Sequence, residues 1–338
     1  METLPSVKDL SVKQKTVLLR TNYDVSLKNG EVTSGTRIDE SLATINYLFG
    51  QQAKIILLSH LGRPEGKVNP GLSLKPVVNY LGQLLKKEVP LFSTINEIDK
   101  NQPMVMLENL RFWSGEENND LNFTKSLANL GDFFINDAFA CSHRQHASIV
   151  GLPQFLPSAL GLDFLKEVEV LSGVRENPRR PVTLILGGAK EDKLEVMEKL
   201  LDWANAILIG GKLSQLINRS SPTKVIMACL NPDGKDITLE SVEKFKKIIV
   251  QSGTIVWAGP MGYYEDEKWS MGTREIAKAI IGSGAYTVVG GGDTEAALTK
   301  FGLTNKINYI SSGGGAMFEF LAQGTLPGIE AILKKQND

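Results

Sequence analysis

Short apolar runs rich in β-branched residues alternate with longer amphipathic stretches along this chain. Runs of this kind are typical of buried strands, and the amphipathic stretches between them are typical of helices. The runs of the first half are TVLLR, AKIILLS, MVMLEN and FFINDAF, and those of the second half are VTLILGG, AILIGG, KVIMACL, TIVWAGP, YTVVGGG and INYISSGGG. Alternating strands and helices predict an α/β fold with parallel sheets. Because both halves show the pattern, we expect two doubly wound parallel-sheet domains.

One longer amphipathic segment, SALGLDFLKEVEVLSGVRENPRRP, separates the two halves. It is typical of a helix that is closed by the breakers Asn177-Pro178 and Arg180-Pro181. At 338 residues the chain is longer than one hydrophobic core usually spans, so a domain junction is expected. We predict a first domain over residues 1–157, a hinge helix and linker over 158–178, and a second domain over 179–322.

Composition and charge exclude several classes of protein. The 37 lysines and arginines nearly balance the 38 aspartates and glutamates, which gives no reason to expect nucleic acid or an anionic membrane as a partner. Two cysteines are too few for a disulfide framework, and the N-terminus METLPSVKDLSVKQK lacks the apolar region of a signal peptide. No apolar run approaches the roughly 18 residues of a membrane span. These features predict a soluble, cytoplasmic protein.

Polar and cationic side chains follow the apolar runs of the first half. Ligands of parallel sheets bind beyond the carboxyl ends of the strands, so these side chains are expected to share one edge of a sheet. Crowded cations repel one another unless an anion joins them, and the arginine fork suits phosphate and carboxylate. The set predicts a small, multiply charged ligand, although any one arginine could be an ordinary surface charge. Its members are Asn22, Asp24, Arg37, His60, Arg63, Arg111, His143, Arg144 and His146.

Glycines take the corresponding positions in the second half. Glycine lets backbone N–H groups approach a phosphate closely, and a following helix N-terminus adds its dipole. A single glycine pair could serve only the geometry of a tight turn, but the repeated occurrence predicts a nucleotide site. No P-loop or GxGxxG motif joins a strand to a helix, which disfavours P-loop proteins and NAD-dependent dehydrogenases. The glycines are Gly187, Gly188, Gly210, Gly211, Gly259, Gly290, Gly291, Gly292, Gly313, Gly314 and Gly315.

Four charged residues near these glycines have two interpretations each. Asp293 is either an oxygen ligand for a cation that bridges nucleotide phosphates or a helix N-cap. Glu265 either holds ribose hydroxyls or is an exposed loop residue. Lys190 and Lys193, at the start of a predicted helix, either bind an anion or are solvated. Together with the first-half cations, these residues predict phosphoryl transfer between a small anion and a nucleotide, which depends on positioning and charge neutralisation.

Several motifs resemble those of phosphoglycerate kinase: SHLGRP, LENLRF, NDAFACSHRQHAS, ILGGAK, WAGPMGYYE, VVGGGDT and ISSGGGAMFEFL. They occur in the family's order over nearly the whole chain. The resemblance implies reversible transfer of a phosphoryl group from 1,3-bisphosphoglycerate to ADP, giving 3-phosphoglycerate and ATP, with Mg²⁺ as cofactor. It also implies that the C-terminal segment, residues 323–338, packs back on the first domain. We expect the protein to be a monomer.

The resemblance assigns roles to individual residues. On the phosphoglycerate side it implies binding by Asn22, Asp24, Arg37, His60, Arg63, Arg111 and Arg144. On the nucleotide side it implies binding by Gly187, Gly188, Lys193, Gly211, Pro260, Glu265, Gly291, Gly292, Asp293 and Thr294, with Asp293 also holding the metal. The catalytic residues implied are Arg37, Lys190 and Lys193.

The sequence departs from the family pattern at several positions. Asn22 precedes Asp24 where the family has the reverse order, and Ala258 replaces an asparagine before Gly-Pro-Met-Gly. The two lysines after the double glycine are three residues apart rather than four. The region between Gly211 and Val256 is shortened and lacks a glycine-bearing segment that lines the family's adenine pocket. The alternative hypothesis is therefore a degenerate relative that binds nucleotide or phosphoglycerate as a sensor without turnover.

Overall fold

The computed structural model of the chain describes residues 4–189, 192–216 and 222–336. The chain divides into two compact units. The first unit contains the residues up to Glu169 together with those from Thr325 onward, and the second unit contains Val170–Gly324. The first unit is therefore built from two separate segments of the chain.

Strands and helices alternate along the chain. The strands are β1 (Thr16–Thr21), β2 (Leu27–Lys28), β3 (Glu31–Val32), β4 (Lys54–Leu58), β5 (Leu91–Phe92), β6 (Met104–Leu107), β7 (Phe133–Asp137), β8 (Ser158–Leu160), β9 (Val182–Leu186), β10 (Ala206–Ile209), β11 (Val225–Met227), β12 (Thr254–Ala258), β13 (Tyr286–Gly290) and β14 (Tyr309–Ser311). The helices are α1 (Thr36–Glu40), α2 (Leu42–Gly50), α3 (Lys75–Leu85), α4 (Ser114–Glu117), α5 (Leu121–Ala128), α6 (Leu162–Glu176), α7 (Asp192–Leu200), α8 (Leu239–Ile249), α9 (Met271–Gly282), α10 (Gly292–Lys300), α11 (Gly314–Gln323) and α12 (Pro327–Gln336).

A parallel sheet with the strand order β5-β6-β4-β1-β7-β8 forms the centre of the first unit. Alternate side chains of a strand point to opposite faces of the sheet. In β1, Val17 and Leu19 join one hydrophobic cluster, whereas Leu18 joins another. Both faces are thus covered by apolar side chains, which is why the strands are continuous apolar runs in the sequence.

The C-terminal helix α12 packs within the first unit. The backbone N–H of Gly328 donates to the carbonyl oxygen of Ser142 at 2.9 Å. A Cβ at Gly328 would lie 3.0 Å from the side chain of Ile149, so glycine permits this close approach. Ala331 packs against a small cluster that includes Ile149 and Cys141. Helix α12 therefore completes the hydrophobic core of the first unit.

The second unit has its own parallel sheet, with the order β11-β10-β9-β12-β13-β14. Trp257 of β12 is fully buried beside Phe245 of α8 and Ile276 of α9. Its indole nitrogen donates to the carbonyl oxygen of Gly259 at 2.8 Å. The core thereby fixes the first residues of the loop that follows β12.

The prediction of two parallel-sheet α/β domains is confirmed by these two sheets. The segment 158–178, expected to be a hinge helix and linker, contains more than a helix. It begins with β8, which pairs with β7 in the first sheet, and α6 starts only at Leu162. The strand reads Ser-Ala-Leu, with no β-branched or aromatic residue, so its sequence is not typical of a strand. Among the described helices, none is long and apolar enough to cross a membrane.

Candidate active site

The loops after β1, β4, β6 and β7 carry most of the polar residues that the sequence singles out in the first half. Because neighbouring parallel strands end at the same edge, the fold brings these residues to one side of the first sheet. Helix α1 adds Arg37. We call this set the cationic edge: Asn22, Asp24, Arg37, His60, Arg63, Arg111 and Arg144.

The electrostatics of the two buried histidines show how closely the arginines surround them. Burial lowers the pKa of His60 well below its usual value, and the guanidinium groups of Arg20 and Arg111 lower it further. Burial, followed by Arg111, lowers the pKa of His146 to about 3. Both imidazoles are therefore neutral at physiological pH, so the positive charge of this region belongs to the arginines.

Two buried nitrogen atoms of the cationic edge make no hydrogen bond to a described residue. These are Nδ2 of Asn22 and Nε of Arg111, although the latter lies 3.4 Å from a carboxylate oxygen of Glu117. The other end of the Arg111 guanidinium is held by the carbonyl oxygen of Gly62, at 2.7 Å from Nη1. An unsatisfied buried donor costs about 1 to 3 kcal/mol. These donors favour a site that the oxygens of an anionic ligand complete.

Asp24 connects the loops that follow β1 and β4. Its Oδ1 atom accepts a hydrogen bond from the backbone N–H of Gly62 at 2.9 Å, and its carbonyl oxygen accepts one from the guanidinium of Arg37. The carboxylate is half-buried and is hydrogen-bonded to the backbone of Gly62. Arg63, by contrast, is exposed, and the structure shows no hydrogen bond or ion pair from its side chain to a described residue. Asp24 thus positions its neighbours on the edge.

Sequence reasoning missed the charged pair beneath the cationic edge. Arg20 and Glu116 are fully buried, with Arg20 Nη2 and Glu116 Oε1 3.8 Å apart. Arg20 lies inside the apolar run TVLLR, and a charge within a buried strand is the signal that could have identified it. Its partner is far away in sequence, so the pairing itself required the fold.

In the second unit, Lys193 lies where the loops after β9 and β12 meet. Its Nζ atom donates to the carbonyl oxygens of Gly187, at 2.7 Å, and of Ala258, at 3.2 Å. The Gly187 N–H in turn donates to the same Ala258 oxygen at 3.0 Å. A Cβ at Gly259 would overlap both the Gly187 carbonyl group and the lysine ammonium, and Gly259 has φ +99°. Glycine is therefore required for the close packing of these loops around the cation.

The remaining predicted residues of this region pack against the same loops. The N–H of Gly188 donates to the carbonyl oxygen of Pro260 at 2.8 Å. A Cβ at Gly211 would lie 2.8 Å from the Gly188 backbone. The structure thus brings Gly187, Gly188, Gly211 and Pro260 together at the carboxyl edge of the second sheet.

Gly291, Gly292, Asp293 and Thr294 form the start of α10. Gly291 is the N-cap residue, and no side chain caps the helix, so the N-cap interpretation of Asp293 does not describe its geometry. The Asp293 carboxylate is exposed in the first turn. Thr294 is buried, and its hydroxyl accepts from Gly259 N–H at 2.7 Å. Thr294 therefore ties α10 to the loop after β12.

Glu265 belongs to a loop that α10 holds in place. The ammonium of Lys300 donates to the carbonyl oxygens of Tyr264, at 2.9 Å, and of Glu265, at 2.8 Å. Burial raises the pKa of Tyr264 to about 12, and the carboxylates of Glu265 and Asp293 contribute to that rise. The two carboxylates therefore lie near the same tyrosine, with the Glu265 side chain exposed.

A compact turn follows β11 in the shortened region. The N–H of Asn231 donates to the carbonyl oxygen of Asp236 at 2.8 Å, and Leu230 bridges to Ile237. The buried carboxylate of Asp236 accepts from the N–H of Gly272 at 2.9 Å. This turn leads directly into α8. Lys190, the other predicted lysine, lies outside the described residues.

Comparison with known proteins agrees with the motifs. The family model described as phosphoglycerate kinase matches residues 7–233 and 218–324. The chain belongs to the phosphoglycerate kinase family. The two matched ranges meet and overlap in the region that is shortened relative to the family pattern.

Curated phosphoglycerate kinases match the chain along almost its whole length. The one from Finegoldia magna is 39% identical over 388 aligned positions, covering 97% of this chain and 98% of the relative. The one from Thermosipho africanus is 39% identical and covers 99% of each chain. Both alignments are longer than this chain, so the relatives carry segments that it lacks.

Solved structures of phosphoglycerate kinases share the fold. The structure from Pyrococcus horikoshii OT3 has a TM-score of 0.83 at 28% identity and covers 99% of this chain and 100% of that chain. The structure from Coxiella burnetii has a TM-score of 0.77 at 32% identity and covers 98% and 99% respectively. The resemblance seen in the motifs is thus confirmed at the level of both sequence and fold.

Proposed function

We propose that this protein is an active phosphoglycerate kinase that transfers a phosphoryl group reversibly between 1,3-bisphosphoglycerate and ADP, giving 3-phosphoglycerate and ATP, in glycolysis and gluconeogenesis. The observation that carries the proposal is that the chain aligns with whole phosphoglycerate kinases while keeping the complete cationic edge. A sensor of nucleotide alone would have no physical need for such a concentration of like charge. Similarity to named phosphoglycerate kinases along almost the whole chain favours turnover over a sensor of phosphoglycerate.

The cationic edge supplies the phosphoglycerate site of the proposal. The arginines neutralise the phosphate and carboxylate groups of the ligand, and Asn22 offers the donor that lacks a partner in the described structure. His60 donates from a neutral imidazole. Arg37, in addition, neutralises charge on the phosphoryl group during transfer. The domain that carries this site is residues 1–157 together with 323–338.

The glycine loops supply the nucleotide site, in the domain over residues 179–322, with α6 and the residues after it in 158–178 as the hinge and linker. Lys193 binds the nucleotide phosphates, and Lys190 meets the phosphoryl group in transit. Glu265 holds the ribose. The loops of Gly187, Gly188, Gly211 and Pro260 surround the phosphates together with the start of α10, where Gly291, Gly292, Asp293 and the backbone of Thr294 lie.

Magnesium fits the donor set as an ion shared with the nucleotide. Within the described ranges, no group of three or more histidine, cysteine or acidic side chains could hold a metal alone. Asp293 offers one exposed carboxylate beside the helix N-terminus, which suits a cation whose other ligands are phosphate oxygens and water. When bound, Mg²⁺ would neutralise charge on the phosphates.

The chemistry needs no nucleophile from the protein. A terminal phosphate oxygen of ADP attacks the phosphorus of the acyl phosphate, the bond to the carboxyl oxygen breaks, and 3-phosphoglycerate leaves as a carboxylate. The side chains contribute in-line positioning and neutralisation of the phosphoryl oxygens. We further propose a cytoplasmic monomer without nucleic-acid or membrane partners, which the net charge of -1 supports.

A coupled assay of ATP formation from ADP and 1,3-bisphosphoglycerate tests the function. Nucleotide and 3-phosphoglycerate binding should be measured by titration calorimetry on the same preparation. Turnover that requires Mg²⁺ supports the kinase. Binding of either ligand without any turnover would instead establish the sensor alternative.

A further inference from the structure

The guanidinium of Arg20 uses all of its nitrogens at the end of β1. Nε donates to the hydroxyl of Ser148 at 2.8 Å, and Nη1 donates to the carbonyl oxygen of Thr21 at 2.5 Å. Nη2 lies 3.1 Å from Nδ1 of His60 and 3.8 Å from a carboxylate oxygen of Glu116. The side chain is fully buried, so its position is set by these partners rather than by solvent.

Glu116 fixes the direction of the hydrogen bonds that the Ser148 hydroxyl makes. The Ser148 hydroxyl donates to Glu116 Oε1 at 2.5 Å, and the Ser148 N–H donates to Oε2 at 3.0 Å. Because its proton is used in this way, the hydroxyl oxygen must accept from Arg20. Glu116 thereby balances the charge of Arg20 and holds it through a serine.

The contact with Arg20 determines which nitrogen of His60 carries the proton. A guanidinium can only donate hydrogen bonds, so Nδ1 of His60 must accept with its lone pair. A proton on Nδ1 would face the N–H of Arg20, so the ring is neutral and its single proton resides on Nε2. No described residue accepts a hydrogen bond from Nε2, and the ring is only 3% exposed. The imidazole is left with one fixed donor.

We propose that Arg20 is a positioning residue, which Glu116 and Ser148 hold in place so that it locks His60 as the Nε2–H tautomer that donates to an oxygen of phosphoglycerate. The ligand in this statement rests on the proposed function, whereas the tautomer does not. A purely structural Arg20 would stabilise the fold without controlling the proton on His60.

Nitrogen-15 NMR of histidine-labelled protein without ligand tests the tautomer directly. Three histidines give few signals, and a His60→Gln variant identifies those of residue 60. We expect a protonated Nε2 and an unprotonated, hydrogen-bonded Nδ1. A proton on Nδ1, or a cationic ring at pH 7, would overturn the proposal. This result does not depend on activity.

A double variant, Arg20→Met with Glu116→Gln, removes both buried charges together and so leaves neither unpaired. We expect the fixed nitrogen shifts of His60 to give way to an average of the two tautomers. We also expect the KM for 3-phosphoglycerate to rise about tenfold or more, as for loss of an oriented hydrogen bond to an anion, with the KM for ATP within about twofold. Unchanged shifts together with an unchanged KM would refute the positioning role.

Arg144→Ala is the matched control, because it removes a cation of the same edge that makes no hydrogen bond to His60. It should raise the KM for 3-phosphoglycerate but leave the nitrogen shifts of His60 unchanged.

If the double variant does not fold, the proposal is tested with His60→Gln and His60→Asn, whose affinities for 3-phosphoglycerate are measured by titration calorimetry. Glutamine keeps an N–H donor near the Nε2 position and asparagine near Nδ1, so glutamine should retain the tighter binding of 3-phosphoglycerate. Tighter binding by the asparagine variant would overturn the proposal.

Discussion

The ammonium of Lys193 lies 2.7 Å from the carbonyl oxygen of Gly187, within the double glycine that precedes it in the sequence. The same ammonium reaches the carbonyl oxygen of Ala258, so one cation joins two strand-end loops. The three-residue spacing from Lys190 does not prevent Lys193 from reaching the glycine loops, since the flexible stem of lysine absorbs the change in register.

The two lysines should differ in their kinetic effects. Lys190→Ala should reduce kcat at least about a hundredfold, near 2.7 kcal/mol of transition-state stabilisation, with little change in Tm. Lys193→Ala should act mainly through the KM for nucleotide, and it should lower Tm because two carbonyl oxygens lose a donor. Steady-state kinetics and thermal unfolding check both variants. A Lys190→Ala enzyme that keeps most of its kcat would show that Lys190 is a solvated residue without a role in phosphoryl transfer.

Arginines of the cationic edge should affect one ligand only. Arg37→Ala and Arg144→Ala should each weaken 3-phosphoglycerate binding by about 1.5 to 3 kcal/mol, the usual effect of losing a charge-assisted contact. Nucleotide affinity should stay nearly constant. Titration calorimetry with each ligand checks this, and Arg179→Ala, an exposed arginine of the second unit, is the control. Equal loss of both affinities would contradict two separate half-sites.

Asp24 combines a useful hydrogen bond with an unfavourable charge. Asp24→Asn should keep an oxygen that accepts from Gly62 N–H while removing a negative charge from an anion site. We expect a lower KM for 3-phosphoglycerate. Asp24→Ala, which also removes the acceptor, should lose affinity and stability. An unchanged or raised KM for the asparagine variant would show that the negative charge of Asp24 does not weaken the binding of 3-phosphoglycerate.

Asp137, at the end of β7, should make stability depend on pH. Burial raises the pKa of its carboxyl group to about 7 from the usual 3.8. The neutral acid therefore contributes stability that is complete below about pH 4 and is lost as the pH rises through about 7. Asparagine cannot ionise, and its oxygen can still accept from Phe164 N–H, as Asp137 Oδ1 does at 3.0 Å.

The difference in free energy of unfolding, Asp137→Asn minus wild type, should accordingly increase with pH between about 4 and 7. The slope should be at most about 1.36 kcal/mol per pH unit, and the difference should be constant at higher pH. Urea unfolding at several pH values measures this difference. The histidines contribute equally to the pH dependence of both proteins, so their contribution cancels. Asp202→Asn, at an exposed position, should retain the wild-type profile. A pH-independent difference would show that the folded and unfolded carboxyl groups titrate alike.

Selectivity for the nucleotide base should be weak. The resemblance implies that the region between Gly211 and Val256, which contains the compact turn between Leu230 and Ile237, lacks a segment of the family's adenine pocket, so affinity should come mainly from phosphates and ribose. We expect ADP and GDP to serve within roughly tenfold of each other, about 1.4 kcal/mol. Parallel kcat/KM measurements check this. A hundredfold preference for ADP would reveal a specific base pocket.

Local pattern and strand-end chemistry predict much of this protein. Continuous apolar runs identify most strands, and residues such as His60 and Gly187 follow directly because parallel strands end at a common edge. Strand β8 escapes prediction because it contains no β-branched or aromatic residue. The exposed first-turn position of Asp293 also required the structure, since a sequence does not show which residue caps a helix.

Long-range polar pairing is the part that the sequence does not reveal. Arg20 in an apolar strand and Glu116 in a four-residue helix give no mutual signal, yet both are fully buried and their charged groups lie 3.8 Å apart. Thr294 illustrates the same limit, because its hydroxyl is taken by the backbone of Gly259. Composition indicates which groups are present, and only the fold shows which of them remain available to a ligand.

The two-segment construction of the first unit has a consequence for biosynthesis. Domains generally fold in the order in which they are translated, and Val170–Gly324 forms one uninterrupted unit. The surface around Cys141 and Ile149 that Ala331 covers, however, must wait until α12 has left the ribosome. The half of the protein that is synthesised first is thus the last to be completed, and the apolar surface around Cys141 and Ile149 stays uncovered until then.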